Sequence, residues 1–206
     1  MSPESRQLIL LSCYNALIRL GDLSRYRETD YVEGDQPKNW APAVGYYGLA
    51  GELNPASGTT HNQLAVIALQ DGNHMRALYH LYRALMVEAP HPSAKSNLEI
   101  EFKKILSLQS KNQLFGTFPD GKTPGNILMA WFMCLHARCY KGVEFTQHDD
   151  LENEFLTSLT IELKERPLEG TLQRLTLMNF AAQHLAQKRF EGKWSTRYNS
   201  CMVSKF

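Results

Sequence analysis

Apolar residues recur along this chain at steps of three and four, and no stretch alternates apolar with polar, so the pattern predicts helices throughout. The opening helix is expected over Pro3–Glu28, with Leu8, Leu11, Leu17 and Leu20 as its apolar positions and Pro3 in the first turn. A second starts after Asn39, with Trp40 and Pro42 at its entry, and stops before the Asn54-Pro55 breaker. Thr59 or Thr60 caps a third, which runs to the Asp71-Gly72-Asn73 turn. The fourth is expected over His74–Glu88, stopped by Pro90 and Pro92. Ser93 caps a fifth, whose Leu98, Phe102, Ile105 and Leu106 share one face. Three further helical patterns cover Asn126–Tyr140, Asp149–Glu165 and Leu168–Phe190. In the middle one, Asp149 and Glu152 have capping-box spacing.

A register links the first four helices. Ala43, Tyr47, Ala50 and Pro55 in one pair answer Ala77, Leu81, Ala84 and Pro90 in the next, and Ala43 to Ala77 is 34 residues, the period of a tetratricopeptide repeat. Small residues at these steps let paired helices approach, and the large ones fill the space beside them. Leu20 to Leu64 is 44 residues, so the first repeat carries ten extra, assigned to the Asp30–Asn39 loop. The expected architecture is all-α, a tetratricopeptide-like α-solenoid followed by helical hairpins. Its divisions are a repeat region over 1–110, a Pro/Gly-rich linker over 111–125, a hairpin region over 126–190 and a frayed tail over 191–206.

Composition narrows the class. The 206 residues are 43% hydrophobic and 21% charged, ordinary for a globular protein. A net charge of +1 argues against a whole-protein electrostatic drive toward nucleic acid. The four cysteines, at 13, 134, 139 and 201, form no disulfide framework and read as reduced thiols of the nucleus or cytoplasm. The longest fully apolar run, Ile127–Leu135, is too short to span a bilayer, so no membrane partner is expected.

Four ordered stretches carry a family resemblance. They are Arg19-Leu20-Gly21-Asp22-Leu23-Ser24-Arg25-Tyr26-Arg27, His61-Asn62-Gln63-Leu64-Ala65-Val66, Tyr79-His80-Leu81-Tyr82-Arg83-Ala84, and Pro90-His91-Pro92 through Asn97-Leu98. Together, over roughly Leu8–Lys104, they resemble the Ever Shorter Telomeres (Est-one) and Smg proteins of telomerase and nonsense-mediated mRNA decay. The resemblance implies a 14-3-3-like tetratricopeptide domain, the Est-one DNA/RNA-binding domain. It also implies a non-enzymatic adaptor role. The implied partners are proteins, some phosphorylated, together with telomeric DNA, telomerase RNA or mRNA-decay complexes. Family members place further helices before the Leu-Gly-Asp helix. This chain starts almost at that helix, so a partial domain is expected, with some of Leu8, Leu11 and Leu17 uncovered.

The candidate binding site follows from both register and resemblance. Counting from Leu20 and Leu64 as equivalent positions places Asp22, Arg25, Tyr26 and Asn62 on the concave face of the repeats. Arg25 offers a planar fork of donors, Tyr26 a hydroxyl and Asn62 both a donor and an acceptor. Arg25, Tyr26 and Asn62 are therefore the candidate phosphate or partner groove, and the Arg25-Tyr26 pair looks like the phosphate-holding pair of 14-3-3 proteins. The simpler alternative is an ordinary Asp22–Arg25 helix ion pair. A phosphopeptide or extended peptide is the alternative ligand class to nucleic acid.

Other signals read as structure. Gly116–Thr123 fits the P-loop pattern, but helix and polar linker precede it, Pro119 removes an amide and Asp120 adds a negative charge. It reads as a surface turn. Cys134, His136 and Cys139 have irregular spacing and read as core, with Trp131 the main packing anchor, so no metal is expected. His148-Asp149-Asp150 reads as capping. No nucleophile arrangement, catalytic residue or cofactor motif emerges, and an enzyme is not expected.

Overall fold

The computed structural model describes residues 2–31, 37–114, 124–142, 148–165 and 170–191. Among these residues the fold is all-α. Its helices are α1 (Pro3–Tyr26), α2 (Ala41–Leu53), α3 (Thr59–Gln70), α4 (His74–Leu85), α5 (Ala94–Ser110), α6 (Pro124–Lys141), α7 (His148–Glu165) and α8 (Thr171–Glu191). The chain falls into two compact units, one of residues 1–72 and 76–96, the other of residues 73–75 and 97–206. The P-loop look-alike over Gly116–Thr123 lies outside the described residues, as do most of the expected linker and all of the tail beyond Glu191.

In the first unit α1 packs on α2 and α2 on α3. The repeat register holds at its small positions, since Ala43, Ala50, Ala77 and Ala84 are all fully buried, with Tyr47 and Leu81 among them. Leu64 is partly buried against the cluster of Trp40, Ala43, Tyr47 and Ile67. Side-chain hydrogen bonds link segments far apart in sequence. Tyr14 donates to the Ser57 hydroxyl at 2.8 Å, and the Trp40 indole donates to Asp71 at 2.9 Å.

Three expected helix ends are corrected, each for a local reason. The first helix is α-helical only to Tyr26, and Arg27–Tyr31 winds more widely as a π-helix. There the Glu28 carboxylate, itself buried, accepts from the Asn39 backbone at 2.9 Å and from Arg27 at 2.9 Å, closing the base of the long loop. These contacts, the Asn39 amide first, hold the Glu28 carboxyl below its ordinary range. The third helix begins at Thr59 and is preceded by Gly58, so neither threonine is its cap. Ser57 instead accepts from the Thr59 amide at 3.3 Å. The fourth helix stops at Leu85, three residues early. Ala89 is drawn into a short parallel bridge with Ser57, in which its amide donates to Ala56 and its carbonyl accepts from Gly58, both at 2.9 Å. Extended pairing and helix compete for the same backbone groups, and the pairing wins.

The second unit has its own core. Leu98, Phe102 and Ile105 of α5 are buried, as are Leu128, Phe132 and Met133 of α6. Trp131, expected as the main anchor there, is only half-buried, and its neighbour Phe132 takes that place, with its ring centroid 5.8 Å from that of Phe155 on α7. Cys134, His136 and Cys139 are core residues, as their surroundings in the sequence suggest. Burial pushes the Cys134 thiol up to about 12. His136 bonds to Asn179 of α8 at 2.9 Å. His74 and Glu101 are joined at 2.5 Å, both buried. Arg189 of α8 donates to the Tyr140 carbonyl at 2.6 Å and lies 4.5 Å over its ring.

On α1 the buried positions are Tyr14, Gly21 and Arg25, while Leu8, Ile9, Leu11, Leu20 and Leu23 are exposed and Leu17 is half-buried. An apolar surface of this extent on one helix is unusual for an isolated domain.

Two tests follow. A Cβ added at Gly58 would strike the Ala84 carbonyl oxygen and come within 2.7 Å of the His91 amide, both backbone atoms with little room to yield. Gly58→Ala should therefore lower unfolding free energy by roughly 1–3 kcal/mol in chemical denaturation. An unchanged midpoint would show that the α3 entry is not so closely packed. Acid sensitivity is the second. Burial pushes the His136 imidazole down to about 4 from an ordinary 6.5, partly offset by Asn179. Across that window the unfolded chain binds the proton and the folded chain does not, so stability is full above the unfolded value and falls as pH drops toward 4. His136→Gln should flatten this acid limb in a urea titration; an equally steep limb would place the acid sensitivity elsewhere.

Candidate functional site

The candidate site grows from the last two turns of α1. Gly21 lies against the ring of Tyr47 on α2, so closely that a Cβ there would stand 2.5 Å from the ring. With no side chain at Gly21, the Tyr47 ring lies close against α1 and its hydroxyl reaches Asp22. Asp22 Oδ1 accepts from Tyr47 at 2.7 Å and from Gln63 Nε2 of α3 at 3.0 Å. One carboxylate oxygen thus ties three helices together.

Arg25 completes this network. Its Nη2 stands 3.5 Å from Asp22, the helix ion pair that was the simpler alternative, and its Nε donates to the Tyr47 hydroxyl at 3.5 Å. The side chain is turned inward and the residue is 8% exposed. Burial by itself would lower its pKa, but hydrogen bonds with Tyr47 and Tyr26 outweigh that, and the net shift is upward. Burial, and then the bond to Asp22, hold the Tyr47 hydroxyl well above its ordinary range, so it stays a donor.

The three candidate residues occupy different environments. Tyr26 is 48% exposed, and the Arg25 guanidinium lies 4.2 Å from its ring centroid, within cation–π range. Asn62 is 4% exposed. Arg25 and Tyr26 are thus brought together, and Gln63, one position beyond Asn62, joins α3 to the network. Counting by register reaches this turn of α3 but does not show that Gln63 meets Asp22. Tyr47 was legible as a core position, and its hydroxyl's part in the site was not.

Among the described residues no three His, Cys, Asp or Glu side chains gather in a way that could hold a metal ion. Among the same residues no helix is long and apolar enough to cross a membrane.

A helical repeat whose first three helices are pinned by a part-buried Asp–Tyr–Gln–Arg network is the architecture of an α-helical repeat scaffold. Residues 43–206 match the Est1 DNA/RNA binding domain, and residues 1–29 match the domain described as telomerase activating protein Est1. The chain belongs to the Est1 family. It is 43% identical over 110 residues to the nonsense-mediated mRNA decay factor SMG7 of Arabidopsis thaliana, covering 53% of this chain and 10% of that protein. It is 36% identical over 89 residues to the telomere elongation protein est1 of Schizosaccharomyces pombe, covering 43% of this chain and 18% of that one. A chain of the C. elegans SMG5–SMG7 complex shares the fold, with a TM-score of 0.52 and 18% identity, over 98% of this chain and 51% of that chain. The chain therefore spans a small part of these curated relatives and about half of the solved neighbour.

Tyr47→Phe tests the network. It removes the hydroxyl that satisfies Asp22 and Arg25 while keeping the ring against Gly21, and should cost roughly 1–3 kcal/mol in chemical denaturation. An unchanged stability would mean that water replaces the hydroxyl without loss.

Proposed function

We propose that this chain is a non-enzymatic adaptor of the telomerase and mRNA-decay class, binding nucleic acid or ribonucleoprotein partners through its first unit. The observation that carries this reading is the match of residues 43–206 to a DNA/RNA-binding domain family. The site residues in this proposal remain Arg25, Tyr26 and Asn62, with unequal roles. Tyr26 presents a half-exposed ring backed by a guanidinium, an arrangement suited to stacking an unpaired base. Arg25 positions that ring, since two of its donor groups already face Asp22 and Tyr47. Asn62, buried on the neighbouring α3, supports the site from within the first unit. The partners belong to nuclear or cytoplasmic RNA metabolism.

Near-neutral charge shapes the expected energetics. With a net charge of +1, few phosphates are neutralised, so stacking carries more of the affinity than counterion release. Engagement of the Arg25 fork by Asp22 and Tyr47 also favours this reading over a phosphopeptide gripped by Arg25.

The test is binding of single-stranded RNA by fluorescence anisotropy at several salt concentrations. Tyr26→Ala should weaken binding by about 1–3 kcal/mol, the scale of one stacked base, with a shallow salt slope and an unchanged fold. Equal affinity of Tyr26→Ala and the parent chain would overturn the stacking role, and tighter binding of a phosphopeptide at Arg25 would replace the ligand class.

A further inference from the structure

A second polar cluster in the first unit lies outside the Asp22 network. Arg83 stands in the last turn of α4, half-buried, and its Nη1 donates to the Tyr79 hydroxyl at 3.3 Å. Its guanidinium is 6.0 Å from the centroid of the Tyr79 ring, at the outer edge of cation–π range. Tyr79 meets the ring of His80 edge-on at 5.2 Å between centroids. His80 Nδ1 is 3.1 Å from Nδ1 of His61 on α3, so one of the two nitrogens donates and the other accepts. All four side chains are half-buried and come from two helices of the same unit.

What distinguishes Arg83 is its charge balance. Arg25 faces Asp22 and Arg27 faces Glu28, whereas Arg83 has no carboxylate within ion-pair distance among the described residues. A half-buried cation with no counter-charge is costly. The C-terminal end of α4 offsets part of that, because Arg83 stands in its last turn. A phenol hydroxyl and a distant ring add little more. Most of the guanidinium fork is thus left without a carboxylate among the described residues.

We infer that Arg83, with Tyr79 and the His61–His80 pair, receives one aspartate or glutamate side chain of a protein partner. A planar carboxylate matches the guanidinium fork in shape and can take two parallel hydrogen bonds from it. Charge count favours a carboxylate over a phosphoryl group. Arg83 supplies one fixed positive charge, which one carboxylate neutralises and a doubly charged phosphate does not. The neighbouring histidine adds none near neutral pH, because burial, helped by the Arg83 charge, pushes the His61 imidazole down to about 4. The single fixed charge also argues against a nucleic-acid backbone, whose binding sites neutralise several phosphates. These residues are separate from Tyr26 and Arg25, so the inference stands apart from the stacking role proposed above.

The experiment is a titration of the whole chain with a Ser/Ala heptapeptide carrying one central glutamate. Binding is followed by the imidazole resonances of His61 and His80 and by the Arg83 Nε–H. The expected result is a saturable shift of these resonances, weaker by about tenfold or more for the glutamine counterpart, as for loss of a charge-assisted hydrogen bond. Arg83→Gln should abolish the glutamate preference. Arg83→Lys, which keeps the charge but loses the fork, should weaken it and supplies the test should the glutamine variant not fold. The inference is overturned if no saturable shift occurs, if the two peptides bind alike, or if Arg83→Lys binds as the parent does. Tighter binding of the phosphoserine counterpart, or displacement of the peptide by oligouridylate, would overturn the carboxylate assignment. Loss of peptide binding in Tyr26→Ala but not in Arg83→Gln would move the ligand to the first site and overturn it as well.

Discussion

The contact between Gly21 and the Tyr47 ring is the constraint from which the first unit is built. Any side chain at position 21 would hold α1 away from α2, because its first carbon would overlap the ring. The close approach buries Tyr47 completely, which obliges its hydroxyl to find a partner. Asp22 is that partner, and it is adjacent in sequence to the glycine that makes the approach possible. A steric requirement and an electrostatic one are thus met by consecutive residues of one helix turn.

The rest of the network follows from having placed a carboxylate there. Asp22 needs further donors, and it finds Gln63 on the next repeat and Arg25 one turn along its own helix. Arg25 is consequently drawn inward, and its neighbour Tyr26 is left facing outward with a cation behind its ring. An arginine of this kind acts on a ligand through the aromatic surface it supports more readily than through its own occupied donors. Arg83 presents the opposite case, a guanidinium whose fork is not matched by a carboxylate among the described residues. The two arginines look alike in the sequence and differ in what surrounds them.

Helix ends in this unit are set by a similar competition. The Ser57–Ala89 bridge takes backbone groups that would otherwise extend α4, and Gly58 lets the two segments come close enough to pair. In the second unit two polar pairs are likewise joined across helices, His74 with Glu101 and His136 with Asn179. Such pairs leave the apolar packing undisturbed while removing the cost of unpartnered buried groups.

The sequence by itself determined the helical class, the order of the elements and the repeat register, because a period of three and four and the recurrence of Ala43, Ala50, Ala77 and Ala84 are properties of the chain alone. It also marked the turn of α1 that carries Asp22, Arg25 and Tyr26. It could not show which polar side chains point inward, since register fixes a helix face only to within about a residue. The bond of Gln63 to Asp22, Phe132 in place of Trp131 and the early end of α4 are all of this kind. Each depends on partners distant in sequence, a carboxylate on another helix, a ring on α7, a backbone bridge at Ser57. The tertiary structure decided these because a buried hydrogen bond or a packed ring is set by which groups meet in space, and local pattern carries no record of that meeting.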